Sequence, residues 1–190
     1  MYRIYLNIND LSGIITITGD EFKHLGFSRR ARVGDKIEII NGNGDIFSGK
    51  IVKFEKEKCE VEIFEKIKLP FKEPLISIAF AMIEKGKFES ALKSSVPFEV
   101  FEFIPILTKH TTSSNKRKER FDKQRLEQIV INSMKQSGNP FLVEISEPIE
   151  LEKLSFEKYD LIITSDLKGK EIGLYKTKIE TAKKILLIIG

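Results

Sequence analysis

The segment "LISIAFAMI", from Leu75 to Ile83, is a continuous apolar run of nine residues near the middle of the chain. Such a run predicts a β-strand buried on both faces of a parallel sheet, and it is too short to span a bilayer. A second apolar run, Ile185 to Ile189 in "KKILLIIG", has the same character and is followed by Gly190. Each of the two runs therefore predicts a buried strand.

Helical segments separate the apolar runs of the second half of the chain. "GKFESALKSSV" is typical of a short helix, and "VFEFIPIL", "FLVEI" and "DLIIT" favour strands. A long helix is predicted from about Lys116 to Ser137, because apolar residues recur on one face and Gly138 suits its C-cap. The stretch near "LEKLSFEKY" is predicted to be short and helical. Strands that alternate with helices indicate a mostly parallel sheet with ligands at the carboxyl ends of its strands.

The first seventy residues read as a small β-domain. "YRIYLNI" and "GIITIT" alternate apolar and polar residues with period two. "TGDE" resembles a capping box, with Thr18 and Glu21 at the start of a helix from about Asp20 to Arg30. "KIEII" meets the hairpin signal "NGNG", and "DIFSGKIVKF" and "CEVEIFEKI" complete a meander. Pro70 and Pro74 in "KLPFKEP" end the pattern, which predicts domains at residues 1–70 and 74–190.

Composition excludes several classes of protein. The chain has 190 residues, 41% of them hydrophobic, and 14 Phe, which is typical of a globular protein. One cysteine, Cys59, excludes a disulfide framework, and with only two histidines we expect no metal site. The N-terminus lacks the apolar core of a signal peptide, so we expect a soluble cytoplasmic protein without a membrane segment.

Positive charge is concentrated in two segments, although the net charge is only +4. Residues 23–36 carry five Lys or Arg against Asp35, and residues 109–125 carry seven against Glu119 and Asp122. This segregation fits a surface that faces phosphates. It also fits two ordinary lysine-rich solvent faces.

Candidate catalytic residues are scarce. The sequence has no glycine-rich phosphate loop between a strand and a helix, no serine nucleophile elbow and no Cys-His pair, and it identifies no general base. His24 and His110 lie in basic surroundings, where each is either a structural hydrogen bonder or a contact to RNA. Arg29 and Arg30 follow the first helix, where guanidinium groups can bind phosphates with two bonds. "HTTSSNKRKER" has the composition of a phosphate-contacting loop or of a flexible linker.

The order of these segments resembles the RsmE family of 16S rRNA uracil-N3 methyltransferases. "HLGFSRRARVGDKIEIINGNGDIFSGKI" is similar to the family's N-terminal PUA-like domain, with His24, Leu25, Arg30, Gly34 and Asp35 on its pattern. "KGKFESALK", "FIPILTKHT", "RLEQIVINSMKQSGNP" and "KILLIIG" are similar to successive segments of the family's second domain. The resemblance covers essentially the whole chain.

The resemblance implies an α/β fold with two parts. A small PUA-like β-barrel at residues 1–70 would bind RNA, and a SPOUT parallel-sheet domain at residues 74–190 would methylate it. SPOUT domains end in a deep trefoil knot that shapes the S-adenosylmethionine pocket. Because the sequence stops at the first glycine of the family's Gly-Pro-Glu-Gly-Gly loop, we expect the knot segment to be missing from these residues.

The resemblance also implies the partners and the site. The expected partners are 16S rRNA or the 30S subunit, S-adenosylmethionine and a second copy of the chain, with no metal. The residues expected to border the cofactor are Thr164, Ser165, Ile189 and Gly190. The residues expected to face RNA are His24, Arg29, Arg30, Lys109, His110, Lys116 and Arg117.

The sequence also departs from the family pattern. Pro97 stands where Glu is usual, Lys135 and Asn139 replace Glu and Arg, and His110 replaces Arg, whereas Gln136 and Ser137 are retained. These departures leave three hypotheses: a methyltransferase, a catalytically inactive rRNA-binding homologue, or a truncated fragment without a role of its own. We adopt the first as the function that the resemblance implies.

Overall fold

The structure is a computed structural model that describes residues 1–28, 30–108, 121–166 and 168–190. The chain forms two compact units. The first contains residues 1–70 and 134–142, and the second contains residues 71–133 and 143–190. The predicted break near Pro70 coincides with the boundary of the first unit, but the segment 134–142 returns to that unit.

The first unit contains a five-stranded mixed sheet in the order β1-β3-β4-β5-β2. Its strands are β1 (Tyr2–Tyr5), β2 (Gly13–Ile17), β3 (Lys36–Ile40), β4 (Asp45–Phe54) and β5 (Cys59–Lys68). β1 runs parallel to β3, and the other neighbours are antiparallel. The alternation of apolar residues therefore predicts the strands correctly, including the β3–β4–β5 meander.

One face of this sheet forms the core of the first unit. Ile4, Ile37, Ile39, Phe47 and Ile51 are all fully buried there, as period-two alternation requires. Phe22 and Leu25, from the segment after β2, complete the cluster. Burial of a large aliphatic or aromatic side chain contributes about 1.5–3 kcal/mol, so this cluster supplies most of the driving force for folding the unit.

The turn "NGNG" between β3 and β4 requires its glycines. Gly42 and Gly44 both have φ of +85°, a region that residues with a Cβ rarely adopt. Asn41 Oδ1 accepts the backbone N–H of Asn43 at 2.9 Å and that of Asp45 at 3.2 Å. The amide of Asn41 donates to Asp45 Oδ2 at 2.8 Å, which closes the turn.

The first helical segment differs from its prediction. Helix α1 spans only Gly19–Lys23, and a π-helical turn, His24–Ser28, continues it. The predicted capping box is wrong, because Thr18 makes no side-chain capping bond to the described residues. The Glu21 carboxylate pairs instead with Lys135, at 2.8 Å. A long-range ion pair has replaced the local contact that the sequence suggested.

The second unit contains a six-stranded parallel sheet, which confirms the predicted fold class. The strands are β6 (Leu75–Ala81), β7 (Glu102–Leu107), β8 (Glu144–Ile145), β9 (Ile149–Glu150), β10 (Leu161–Thr164) and β11 (Lys184–Ile189). Their order is β10-β11-β6-β7-β8, and β9 also pairs with β7. The two apolar runs, β6 and β11, are direct neighbours at the centre of the sheet.

The two faces of β6 bury different residues. Ala79 and Ala81 pack with Ile104, Ile106 and Leu186 on one face. On the other face an aromatic cluster forms. Its rings are Phe80, Phe88 and Phe103, with centroids 5.5–6.0 Å apart. These distances lie in the range favoured by edge-to-face and offset aromatic pairs.

The described residues contain three further α-helices. They are α2 (Lys85–Ser95), α3 (Lys123–Ser137) and α4 (Lys176–Thr181). Of the predicted long helix, residues 123–137 are helical, 121 and 122 are not, and 116–120 lie outside the described residues. Gly138 ends α3 with φ of +85° and donates its N–H to Met134 at 2.8 Å, which confirms the predicted C-cap.

Candidate active site

Four parallel strands of the second unit end at one edge of the sheet. β6 ends at Ala81, β7 at Leu107, β10 at Thr164 and β11 at Ile189. Loops at the carboxyl ends of parallel strands are the usual ligand-binding regions of α/β sheets. Two cavities open at this edge, one beside β10 and β11 and one beyond β6.

The cavity beside β10 and β11 contains most of the residues predicted to border the cofactor. It has a volume of about 790 Å³, and its lining includes Thr164, Ser165 and Ile189. Ser165 donates its backbone N–H to Ile188 at 3.2 Å, which joins the ends of the two strands. Gly190 follows Ile189 directly, and a Cβ built on it would lie 3.8 Å from Ala81 Cβ. The four predicted residues therefore lie at the same edge of the sheet.

The rest of this cavity mixes apolar and charged side chains. Ile162 and Tyr175 provide apolar surface, and Asp166, Lys170 and Lys178 provide charge. Asp166 accepts the backbone N–H of Lys168 on Oδ1, at 2.8 Å. This bond fixes the turn that follows β10.

The cavity beyond β6 has a volume of about 420 Å³. Its apolar wall consists of Met82, Ile83, Phe88, Phe121 and Leu126. Its charged rim consists of Glu84, Lys85, Glu89, Asp122 and Arg125. Sequence patterns do not predict this cavity, because its residues come from two segments about 35 positions apart.

Glu89 and Arg125 form an ion pair with two hydrogen bonds at that rim. Arg125 donates from Nε to Glu89 Oε1 at 2.6 Å and from Nη2 to Oε2 at 2.9 Å. The hydrogen bonds from Arg125, helped by the charge of Lys85, lower the pKa of Glu89 below its ordinary value. Asp122 Oδ1 accepts the backbone N–H of Arg125 at 3.0 Å, which caps the start of α3.

Of the residues predicted to face RNA, the structure describes His24 and Arg30, both in the first unit. Arg30 is exposed and has φ of +54°. The loop that follows it is held in place, because Asp35 accepts the backbone N–H of Arg32 at 2.8 Å and Ala31 donates to Leu25 at 3.0 Å. His24 is half-buried at the end of α1. The other predicted contacts, Arg29, Lys109, His110, Lys116 and Arg117, lie outside the described residues.

Two departures from the family pattern have structural roles in the first unit. Lys135 pairs with Glu21, and its backbone carbonyl accepts Arg3 Nη1 at 3.2 Å. The buried Asn139 accepts the backbone N–H of Phe141 on Oδ1, at 2.9 Å. These substitutions therefore carry packing and hydrogen bonds of their own.

Neither a membrane helix nor a metal cluster is found in the part of the chain that the structure describes. Among residues 1–28, 30–108, 121–166 and 168–190, no helix is long and apolar enough to cross a membrane. Within the same residues, no group of three or more His, Cys, Asp or Glu side chains is placed to hold a metal ion.

Comparison with known proteins identifies both parts of the chain. An RNA methyltransferase domain family matches residues 71–190, and an RNA methyltransferase PUA domain family matches residues 17–64. The ribosomal RNA small subunit methyltransferase E of Aquifex aeolicus (strain VF5) is 26% identical over 184 residues, which are 93% of this chain and 76% of that protein.

Solved structures share the fold along the whole chain. A methyltransferase from Legionella pneumophila, solved with its cofactor SAM, superposes with a TM-score of 0.81 at 22% identity, covering 99% of this chain and 78% of that one. The ribosomal RNA small subunit methyltransferase E of Neisseria gonorrhoeae, solved with S-adenosyl methionine, superposes with a TM-score of 0.78 at 22% identity. The match covers 100% of this chain and 80% of that one. The domain match over residues 71–190, which spans more than half of the chain, and the PUA match before it establish that this chain belongs to the RsmE family of RNA methyltransferases.

Proposed function

We propose that this chain transfers a methyl group from S-adenosylmethionine to N3 of a uracil in small-subunit (16S) rRNA. The observation that carries the proposal is the cavity at the carboxyl edge of the sheet, formed by Thr164, Ser165 and Ile189 in a chain of the RsmE family. The relative from Aquifex aeolicus is named for this kind of substrate, a small-subunit ribosomal RNA.

The side chains of this cavity fit S-adenosylmethionine. Ile162 and Tyr175 offer apolar surface to an adenine ring, Asp166 can accept hydroxyl or ammonium donors, and Lys170 can bind a carboxylate. When bound, the cofactor supplies an electrophilic methyl group on a sulfonium. The residues of the chain hold and orient both reactants, which is the protein's usual contribution to such a reaction.

The target uracil must leave its base pair before it reacts. N3 lies on the Watson–Crick edge, so it is accessible only in an unpaired or flipped nucleotide. On this proposal residues 1–70 form the RNA-binding domain and residues 74–190 the catalytic domain. Exposed cationic residues such as Arg30 contact phosphates and so position the RNA without reading its sequence.

A methylation assay tests the proposal directly. The chain is incubated with S-adenosylmethionine carrying a labelled methyl group and with naked 16S rRNA or assembled 30S subunits. We expect label at one uridine, and because N3-methylation blocks the Watson–Crick edge, reverse transcription should stop there. RNA binding without label would support the inactive rRNA-binding homologue. Label on another atom or another RNA would contradict the proposal.

We further propose that the protein acts in the cytoplasm as a homodimer. Methyl transfer to ribosomal RNA takes place where ribosomes are made, and the resemblance to SPOUT enzymes is the basis for the dimer. Light scattering coupled to gel filtration gives the mass in solution, for comparison with the 21.8 kDa chain. A mass close to 21.8 kDa at micromolar concentration would contradict the dimer.

A further inference from the structure

The cavity beyond β6, here called the base pocket, opens at the same carboxyl edge of the sheet as the proposed cofactor site. Ile189 of the cofactor cavity pairs in register with Phe80 of β6. Registered partners in a sheet point to the same face. The Phe80 ring in turn contacts Phe88, a wall residue of the base pocket, with centroids 6.0 Å apart.

The wall of the base pocket suits a flat aromatic ligand. Phe88, Met82 and Leu126 are all buried, with at most 8% of each residue exposed. Phe88 packs edge to face on Phe103. The two ring centroids lie 5.5 Å apart, and the angle between the ring planes is 82°. Stacking of a base on such a surface contributes about 1–3 kcal/mol and does not depend on which base it is.

The rim of the base pocket offers hydrogen-bond donors. A guanidinium group has five N–H groups, and Glu89 accepts one from Nε and one from Nη2 of Arg125. This pair fixes the plane of the guanidinium and engages two of its five N–H groups, so the group keeps donors for a ligand. The first turns of α2 and α3 also border the pocket, and the amino ends of helices favour negative charge.

We propose that the base pocket binds the uracil that is methylated, with Arg125 donating to the carbonyl oxygen O4 of its Watson–Crick edge and Glu89 positioning Arg125. This inference rests on the proposed function. N3 becomes nucleophilic when it loses its proton to bulk water, and the resulting negative charge spreads onto the two flanking carbonyl oxygens. The new N3–carbon bond forms as the carbon–sulfur bond of the sulfonium breaks, which leaves a neutral thioether. A donor held at one oxygen stabilises that anion, as an oxyanion hole stabilises developing charge.

The same contact selects uracil over cytosine. At position 4 uracil has an acceptor oxygen, whereas cytosine has an amino group that only donates. A guanidinium opposite that amino group would leave donors on both sides unpaired, and sites built in this way reject the wrong ligand strongly. Arg125 is therefore a specificity residue as well as a catalytic residue.

The test compares Arg125→Gln and Glu89→Gln with Lys93→Gln, a change at an exposed lysine in the last turn of α2 outside the pocket lining. Methylation rates are measured as a function of pH, on RNA with uridine or 5-fluorouridine at the target. Fluorine makes the N3 proton more acidic, so the anion needs less help from the protein. We expect Arg125→Gln to lower kcat/KM by about 10²–10³. Its pH profile should move to higher pH, and 5-fluorouridine should restore most of the rate.

The outcomes separate this inference from the proposed function. Glu89→Gln should show the same pH displacement with a smaller loss, and Lys93→Gln should match the unchanged chain. If the unchanged chain methylates uridine but Arg125→Gln behaves like Lys93→Gln, the inference is wrong and the proposed function stands. A loss that 5-fluorouridine does not relieve, accompanied by weaker RNA binding, would make Arg125 a phosphate contact. An unchanged chain that transfers no methyl group defeats both.

Discussion

Lys135 Nζ lies 2.8 Å from Glu21 Oε1, and the two side chains are only 12% and 17% exposed. Glu21 Oε2 is also buried, and no hydrogen-bond partner for it is found among the described residues. We expect Lys135→Met to leave an uncompensated carboxylate and to lower the free energy of unfolding by about 2–4 kcal/mol. Urea denaturation measures the change.

A double variant separates charge from packing at this pair. Lys135→Met with Glu21→Gln removes both charges, so it should recover much of the stability that the single variant loses. Equal stabilities of the single variant and the unchanged chain would show that Lys135 has no structural role. In that case its replacement of the family's Glu would again suggest lost function.

Gly44 occupies a position that excludes any side chain. A Cβ built there would lie 2.4 Å from the backbone oxygen of Leu69 and 2.6 Å from Cε1 of Phe141. We expect Gly44→Ala to destabilise the first unit by more than about 2 kcal/mol, because left-handed strain and steric overlap add. The matched control is Gly13→Ala, where φ is +64° but nothing lies within 4 Å of the Cβ.

The control isolates the cost of the backbone conformation. Gly13→Ala should cost about 1–2 kcal/mol, the penalty of a left-handed residue alone. Thermal unfolding of both variants gives the comparison. If the two variants lose equal stability, Leu69 and Phe141 do not lie as close to Gly44 as the structure places them.

Asp160 ties the start of β10 to the start of β11. Its Oδ2 accepts the backbone N–H of Lys184 at 2.8 Å and that of Lys183 at 2.9 Å. These two bonds, the one from Lys184 first, lower the pKa of Asp160 below its ordinary value. A carboxyl group whose pKa is lower when folded stabilises the fold above its unfolded pKa of about 3.9, and this stabilisation is lost as the pH falls through the folded value.

Asp160→Asn should therefore destabilise the second unit at neutral pH and matter less in acid. We expect the difference in melting temperature from the unchanged chain to be largest above about pH 5 and to shrink below about pH 4. Lys183→Ala is a useful control, since it keeps the backbone N–H that Asp160 accepts. A difference that stayed constant from pH 7 to pH 3 would exclude the ionised carboxylate as the cause.

Sequence patterns predicted the strands and turns that are determined by interactions between residues close together in the chain. "KIEII" became β3 with the predicted bounds, because alternation and the following "NGNG" turn both act within a few residues. β6 and β11 were visible as apolar runs, since strands buried on both faces show no alternation. Helix α4 was missed, because its six residues contain only one apolar side chain, that of Ile179.

Two ion pairs, one at the candidate site and one in the first unit, join residues distant in sequence. Glu89 and Arg125 are 36 positions apart, and Glu21 and Lys135 are 114 positions apart. Neither spacing follows a helical or strand period, so sequence reasoning had no basis for pairing them. Only the position of Glu89 in the chain could have indicated a role in the site. Glu89 lies in the helix that follows the first parallel strand, and ligand-binding residues concentrate at the carboxyl ends of such strands.

Arg30 provides a test of how the first unit binds RNA. Its side chain is exposed beside a loop that Asp35 holds in place. We expect Arg30→Ala to weaken binding about equally for different RNA sequences, and to reduce the slope of log K against log[salt] by about 0.7–0.9, the value of one phosphate contact.

The control is Lys158→Ala in the second unit, where Lys158 lies 3.9 Å from Glu102. Filter binding at several salt concentrations measures both variants. A loss confined to one uridine context would show that Arg30 reads bases, because a phosphate contact is indifferent to sequence.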